Sequence, residues 1–574
     1  MDFQDVSPEE NPDQFLQNLF DEYWQFTLHE NPILATRFGA HHYDERLPEK
    51  DPEAFERRYE KETTFLNRLR EVPKEQATKE YQLNYELFDR ILQWSIREYE
   101  LGVHYMHFNQ LFGFHITLIQ LPLQIPLETV EHHRNYITRL SKVPGFVNDH
   151  IELLTEGLEN GYVQPRVALD GVDEQLRRLV ADDPEDSPFY GPFHEFPEWI
   201  PSAERDELMA EARDEIETSV KPAFEEFRSF YRGEYEPAAR GEISCEALPD
   251  GQQYYQFLVD KFTTTNLSPQ EIHDIGKQEV ERLTDEMNEV IDTVGYDGTV
   301  PEFAETIRND DRFYVDEPEE LLRRYRDICK RMDAKLPSLF GNLPRATYGI
   351  RPMPEESAED ATSAYYLRPA ADGSTPGWFM VNTHDLDSRP TFEMEALALH
   401  EAVPGHHLQI TLQQEHSGLA DFRRVASFMG FTEGWGLYAE HLGKEAGFYE
   451  DPYSEFGRLS FNIWRAARLV VDTGIHHFDW DREQAVSYLM EHTALTKTNV
   501  ESEVNRYIAM PGQALSYKIG EQKIMKLRAQ AQQELGDAFS VRSFHDHLLG
   551  AGTLPLDLLE DRMQNWIENQ KSTS

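Results

Sequence analysis

His400-Glu401-Ala402-Val403-Pro404-Gly405-His406-His407 gathers three imidazoles and one carboxylate into eight residues. Those are the ligand types of a catalytic zinc site, where three protein donors leave one position open for water. The usual helical arrangement sets two histidines four apart, with a glutamate after the first as the base. Here Pro404 stands where the second histidine would be, so the segment has two residues too many.

On a regular helix His400 and His406 would lie about 240° apart and about 9 Å along the axis. His407 would share a face with His400 but sit about 10.5 Å away. Pro404 must kink or break a helix, because it lacks the amide hydrogen and clashes one turn back. Gly405 opens backbone conformations closed to other residues. A Pro-Gly bulge would absorb the two extra residues and return His406 to the place of the second ligand, though spacing alone leaves His406 and His407 both open. The third ligand is expected on the downstream segment Thr432-Glu433-Gly434-Trp435-Gly436-Leu437-Tyr438-Ala439-Glu440. Glu433 and Glu440 share a helix face, two turns apart. Glu433 is the candidate ligand, and Glu440 an outer partner or a solvated residue. The chain has 22 histidines, and the doublets His41-His42, His132-His133 and His476-His477 read as ordinary surface or core residues.

The run from His400 to Gln409, then Glu433-Gly434-Trp435, then Pro511-Gly512-Gln513-Ala514-Leu515-Ser516-Tyr517, resembles the family catalogued as domain of unknown function 885. The resemblance extends to Thr263-Thr264-Thr265-Asn266-Leu267-Ser268-Pro269 and to Phe544-His545-Asp546-His547-Leu548-Leu549, and so covers most of the chain. The acidity suggests a haloarchaeal type of member. That family is grouped with glutamate-zincin metallopeptidases, which implies one zinc per chain, His400, His406 and Glu433 as ligands, and Glu401 as general base. It implies a zinc metallopeptidase that hydrolyses amide bonds of short peptides with a zinc-bound water. A hydrolase of a non-peptide ester or amide is the alternative, as is a non-catalytic metal-containing binding protein.

Other residues are candidates for supporting roles. Tyr517 is the candidate donor to a developing oxyanion, with Tyr507 behind it. Arg506 can pair with a substrate carboxylate. Asn382 can hydrogen-bond an extended peptide at a sheet edge. His384, His476 and His477 are weaker candidates.

Acidic residues number 105 against 55 basic ones, a net charge of −50 spread along the whole chain. Such a surface repels phosphates and anionic lipid, which argues against nucleic acid and membranes as partners. Self-repulsion on this scale suits a salt-saturated cytoplasm, where the screening length falls to about 3 Å at molar salt. The two cysteines, Cys245 and Cys329, are not spaced for metal. Met1-Asp2-Phe3-Gln4-Asp5-Val6 carries no basic or apolar leader, and no eighteen-residue apolar run occurs. A cytoplasmic location is the expectation.

Helical periodicity dominates. Phe15, Leu16, Leu19, Phe20, Tyr23 and Trp24 mark one buried face. Ser268-Pro269-Gln270-Glu271 reads as a capping box that opens a helix carrying Ile272, Ile275, Val280, Leu283, Met287, Val290 and Ile291, with Gly295 to end it. Further amphipathic stretches cover 52–71, 127–160, 204–232, 318–335, 455–475, 484–506 and 518–534. Residues 182–203, rich in proline, read as a long surface loop. Gly377-Trp378-Phe379-Met380-Val381-Asn382-Thr383 is the best strand. The expected fold is mainly α, large and two-lobed with a deep cleft, and has a small sheet near residues 345–383. One catalytic unit over 1–574 is expected, helical through 344, with the zinc-site part in 345–574.

Overall fold

Ser268 opens its helix as its neighbours dictate. Its hydroxyl accepts from the Glu271 amide, the Glu271 carboxylate returns to Ser268, and Pro269 fills the first turn of Pro269–Thr293. The chain turns away two residues later at Gly295, with φ at +71°. The computed structural model describes residues 7–354, 358, 362–371, 373 and 375–573. It is mainly α-helical with one small sheet, and the chain divides into two compact units.

The first unit holds residues 1–243, 247–254 and 420–422. Its helix Pro12–Glu30 buries Leu16, Leu19, Phe20 and Trp24, while Phe15 and Tyr23 are half-buried. The stretch 127–160 is two helices, Val130–Leu140 and Val143–Glu159, because Pro144 starts a new first turn although the apolar period runs on. The 182–203 segment is less of a surface loop than its prolines suggest. Short 3-10 turns at Pro184–Asp186 and Pro188–Phe193 drive Phe189, Tyr190 and Phe193 into the core. Aromatic burial outweighs the local polarity there, and Trp199 alone among the segment's large apolar residues is strongly exposed.

The second unit holds residues 244–246, 255–419 and 423–574. Pro269–Thr293 packs along Pro452–His477, and Met429–Ala446 packs along Ser516–Leu535. The stretch 484–506 is also two helices, Arg482–His492 and Lys497–Ala509. The second restarts at Thr496, whose side chain caps the Asn499 amide.

The sheet lies in this unit, where the sequence places it. Strand β1 is Tyr348–Pro352, β2 is Ala364–Leu367 and β3 is Gly377–Val381. The central β3 pairs in parallel with β1 and antiparallel with β2. Alternation along a strand sends successive side chains to opposite faces. Met380 and Trp378 therefore pack with Met353, Ala358, Tyr365 and Leu367 on one face. On the other, Phe379 meets Tyr325 edge-on and its neighbour Tyr366 reaches His407.

Candidate metal centre

The helix Met394–Glu401 stops after Glu401, and the next helix begins at His406. Between them Ala402 and Gly405 leave helical geometry, and the Val403–Pro404 peptide is cis. The His407 amide bonds back to the Ala402 carbonyl at 3.0 Å, which closes the bulge. Gly405 is required here, since a Cβ would fall on the His400 carbonyl oxygen. The Trp435 indole N–H donates to the Pro404 carbonyl at 2.9 Å and ties the bulge to the helix Met429–Ala446.

The bulge swings His406 round to His400. Ligand atoms of His400, His406 and Glu433 all lie within 4.8 Å of one another, and all three residues are buried. Glu433 Oε2 stands 3.6 Å from Nε2 of each imidazole. His407 points elsewhere. Its ring packs at 4.5 Å against Tyr348, and Nδ1 meets the Tyr366 hydroxyl at 2.7 Å.

Glu440, on the same face as Glu433, is fully buried and meets His400 Nδ1 at 2.8 Å. An oxygen on Nδ1 fixes the ring and turns Nε2 to the centre, the support that a metal-ligating histidine commonly has. Gly436 gives the ring room, since a Cβ there would press on the imidazole at 2.6 Å.

The electrostatics favour a cation. Burial pulls the His400 imidazolium down, but its contacts with Glu433 and Glu440 outweigh that and raise its pKa to about 10. Burial pushes Glu433 up, yet the two histidines hold it well below the usual carboxylate range. Two buried carboxylates around one imidazole thus make a place where positive charge is stabilised.

Glu401 follows His400 in the chain and is 9% exposed, and its carboxylate has no hydrogen-bond partner among the described residues. Tyr517 lies near-parallel to His400, with ring centroids 6.3 Å apart. Its hydroxyl accepts from Arg506 at 3.3 Å and from Gln513 at 3.4 Å. Arg506 also meets Glu503 and Gln513. The Tyr507 hydroxyl is taken up by Trp464 at 3.0 Å and Arg468 at 3.1 Å. Asn382 is fully buried, donating to the Ala358 and Thr362 carbonyls and accepting the His384 amide. His476 is bonded through both ring nitrogens, and His477 pairs with Glu246.

With this geometry in place, a family model described as "Bacterial protein of unknown function (DUF885)" matches residues 32–563. The chain belongs to the DUF885 family. This DUF885 chain is similar to the solved structure of "the putative lipoprotein from Colwellia psychrerythraea", with 31% identity and a TM-score of 0.92 over 97% of this chain and 100% of the other. It shares its fold with "a putative lipoprotein of unknown function from Shewanella oneidensis", at 17% identity and a TM-score of 0.65, covering 96% and 99% of the two chains. None of the curated proteins compared matches it.

The Colwellia relative overturns the cytoplasmic expectation, since a protein similar along nearly the whole DUF885 chain is described as a "putative lipoprotein". The physical reason is plain. No described helix is long and apolar enough to cross a membrane, but a lipid anchor needs no such helix.

Sequence reading missed a set of residues in this DUF885 centre: Trp464, Arg465 and Arg468 on Pro452–His477, with Glu503 on the neighbouring helix Lys497–Ala509. Arg465 and Arg468 are three apart, so they share a face. Two arginines three apart beside a tryptophan were the available signal.

Proposed function

We propose that this DUF885 protein is a zinc-dependent peptidase that hydrolyses amide bonds in short peptides. One observation carries the reading: three ligand-type side chains converge within 4.8 Å while the next residue, Glu401, presents a carboxylate with no hydrogen bond among the described residues. The donor set fits zinc. Bonds of about 2.0–2.1 Å in a tetrahedron set neighbouring donors about 3.4 Å apart, and Glu433 Oε2 is 3.6 Å from each histidine. His400, His406 and Glu433 would hold the ion, with Glu440 orienting His400. Bound there, zinc supplies Lewis acidity that polarises a carbonyl and makes water more acidic.

The chain's own groups do the rest. Glu401 takes a proton from the attacking water and returns it to the leaving amine. The Tyr517 oxygen already accepts two N–H donors, so its own hydrogen is available to an oxyanion. Glu401→Gln keeps shape and zinc but removes the base. Turnover of a short-peptide library is expected to fall about 10²–10⁴-fold at unchanged zinc content. Equal activity in that variant would sink the mechanism, and zinc-loaded wild type that cleaves no peptide would sink the function.

A further inference from the structure

Arg465 is 95% enclosed on the helix Pro452–His477, yet its guanidinium is poorly paired. It stacks on Phe461 at 4.6 Å and on Trp464 at 4.4 Å. Nη1 makes one long contact, 3.4 Å to the Phe461 carbonyl. Among the described residues Nε has no hydrogen-bond partner, and Nη2 lies 4.0 Å from Glu440 Oε1, which is already engaged with His400. One turn on, Arg468 stacks on Trp464 at 4.1 Å and over Tyr517 at 4.6 Å, and its Nη1 also has no hydrogen-bond partner among the described residues. Arg506 completes the group on the Tyr517 hydroxyl.

The charge count is uneven. Glu503 pairs with Arg468 at 3.2 Å and with Arg506 at 3.4 Å, which leaves Arg465 with Glu440 alone at 4.0 Å. Burial depresses the pKa of Arg465, the direction expected of a charge short of compensation. Leaving a buried cation so poorly paired is strongly unfavourable. Here it occurs in a chain with fifty excess negative charges, and among the described residues no carboxylate hydrogen-bonds Nε. A guanidinium packed against two rings, with Nε lacking a hydrogen-bond partner among the described residues and Nη2 held only at 4.0 Å from Glu440 Oε1, presents the fork that takes a carboxylate through two parallel hydrogen bonds.

Resting on the peptidase reading above, we propose that Arg465, backed by Arg468, is the subsite for a carboxylate of the peptide substrate and sets specificity for peptides that carry one beside the bond cut. The edge lies one residue behind His400, through Glu440, and Arg468 carries the charge on to Tyr517. A carboxylate seated there holds the neighbouring amide against the metal centre and the Tyr517 hydroxyl.

Binding and turnover test this separately. In calorimetric titration of the purified protein, N-acetyl-leucine is expected to bind at least tenfold more tightly than N-acetyl-leucinamide. Arg465→Gln is expected to erase that difference. In hydrolysis, a short peptide with a free C-terminus should exceed its amidated twin in kcat/KM by about 10- to 100-fold, the range of a charged hydrogen bond. Arg465→Gln should lose far more activity on the free acid than on the amide. An amidated peptide bearing one glutamate side chain separates a side-chain carboxylate from a terminal one. Arg465→Lys keeps the charge without the fork and should fall between, so it carries the test if the glutamine variant does not fold. Equal losses on acid and amide would mean that Arg465 only supports Glu440, and would overturn the proposal. So would wild type that treats the two alike. Cleavage without discrimination leaves the peptidase reading standing and removes this one; Arg465-dependent acid binding without cleavage removes the peptidase reading and, with it, the role in specificity, and leaves only a carboxylate site at Arg465.

Discussion

His115 in the first unit and His400 in the second are both almost completely enclosed, at 0% and 3% exposure. Among the described residues His115 hydrogen-bonds one neutral partner, Gln175 at 3.2 Å, and its Nδ1 has none. Burial draws its pKa down to about 4. At His400 burial pulls the same way, but Glu433 and Glu440 reverse it and the value rises to about 10. Enclosure by itself strips a histidine of charge; paired carboxylates make the same enclosure a seat for a cation. A histidine count therefore says little about metal, and the acids around each ring say much.

Removing an acid from His400 should erase the contrast. Glu433→Gln takes away both a ligand and the charge shared by His400 and His406, and zinc measured by atomic absorption is expected to fall from one per chain to near none. Undiminished zinc would reduce this ring to an ion-paired core residue. Glu440→Gln leaves the donor set whole but loosens the ring. Zinc affinity, read by competition with a chelator, is expected to drop about 10- to 100-fold. Unchanged affinity would show that the Nδ1 contact is dispensable.

His115 sharpens the other side with a smaller effect. Its folded pKa of about 4 lies below the ordinary 6.5, so the neutral ring contributes fully above pH 6.5. As pH falls from 6.5 toward 4 the unfolded chain gains a proton that the folded chain refuses. That costs roughly 3 kcal/mol, with no further loss from this ring below pH 4. Urea midpoints of His115→Gln should decline less steeply than wild type across that window. Parallel slopes would mean that other groups carry the acid sensitivity.

Local chemistry was readable. Ser268 and Glu271 announce a helix because both partners lie within one turn. The strand at Gly377 was legible as a short apolar run. Breaks such as that before Thr496 were hidden, since the apolar period continues across them and only one capping hydroxyl marks the restart. Spacing put Glu433 and Glu440 on one face but could not say what that face meets. Spacing alone left His406 and His407 both open, whereas Tyr348 and Tyr366, more than forty residues upstream, engage the second. The state of Arg465 was beyond reach for the same reason: what faces its Nε and Nη2 is set by residues distant in the chain, such as Glu440.

The Trp435 bond to the Pro404 carbonyl changes what an insertion means. In a continuous helix two added residues would rotate the second histidine by about 200° and shift it by about 3 Å, and the pair would be lost. Here the extra length is thrown sideways and caught by an indole from a helix some thirty residues on. Distance along the chain and distance in space are thereby uncoupled. A ligand pair held in this way is inherited through the clasp as much as through its spacing, so Trp435 and Gly405 should vary as little as the histidines they bring together.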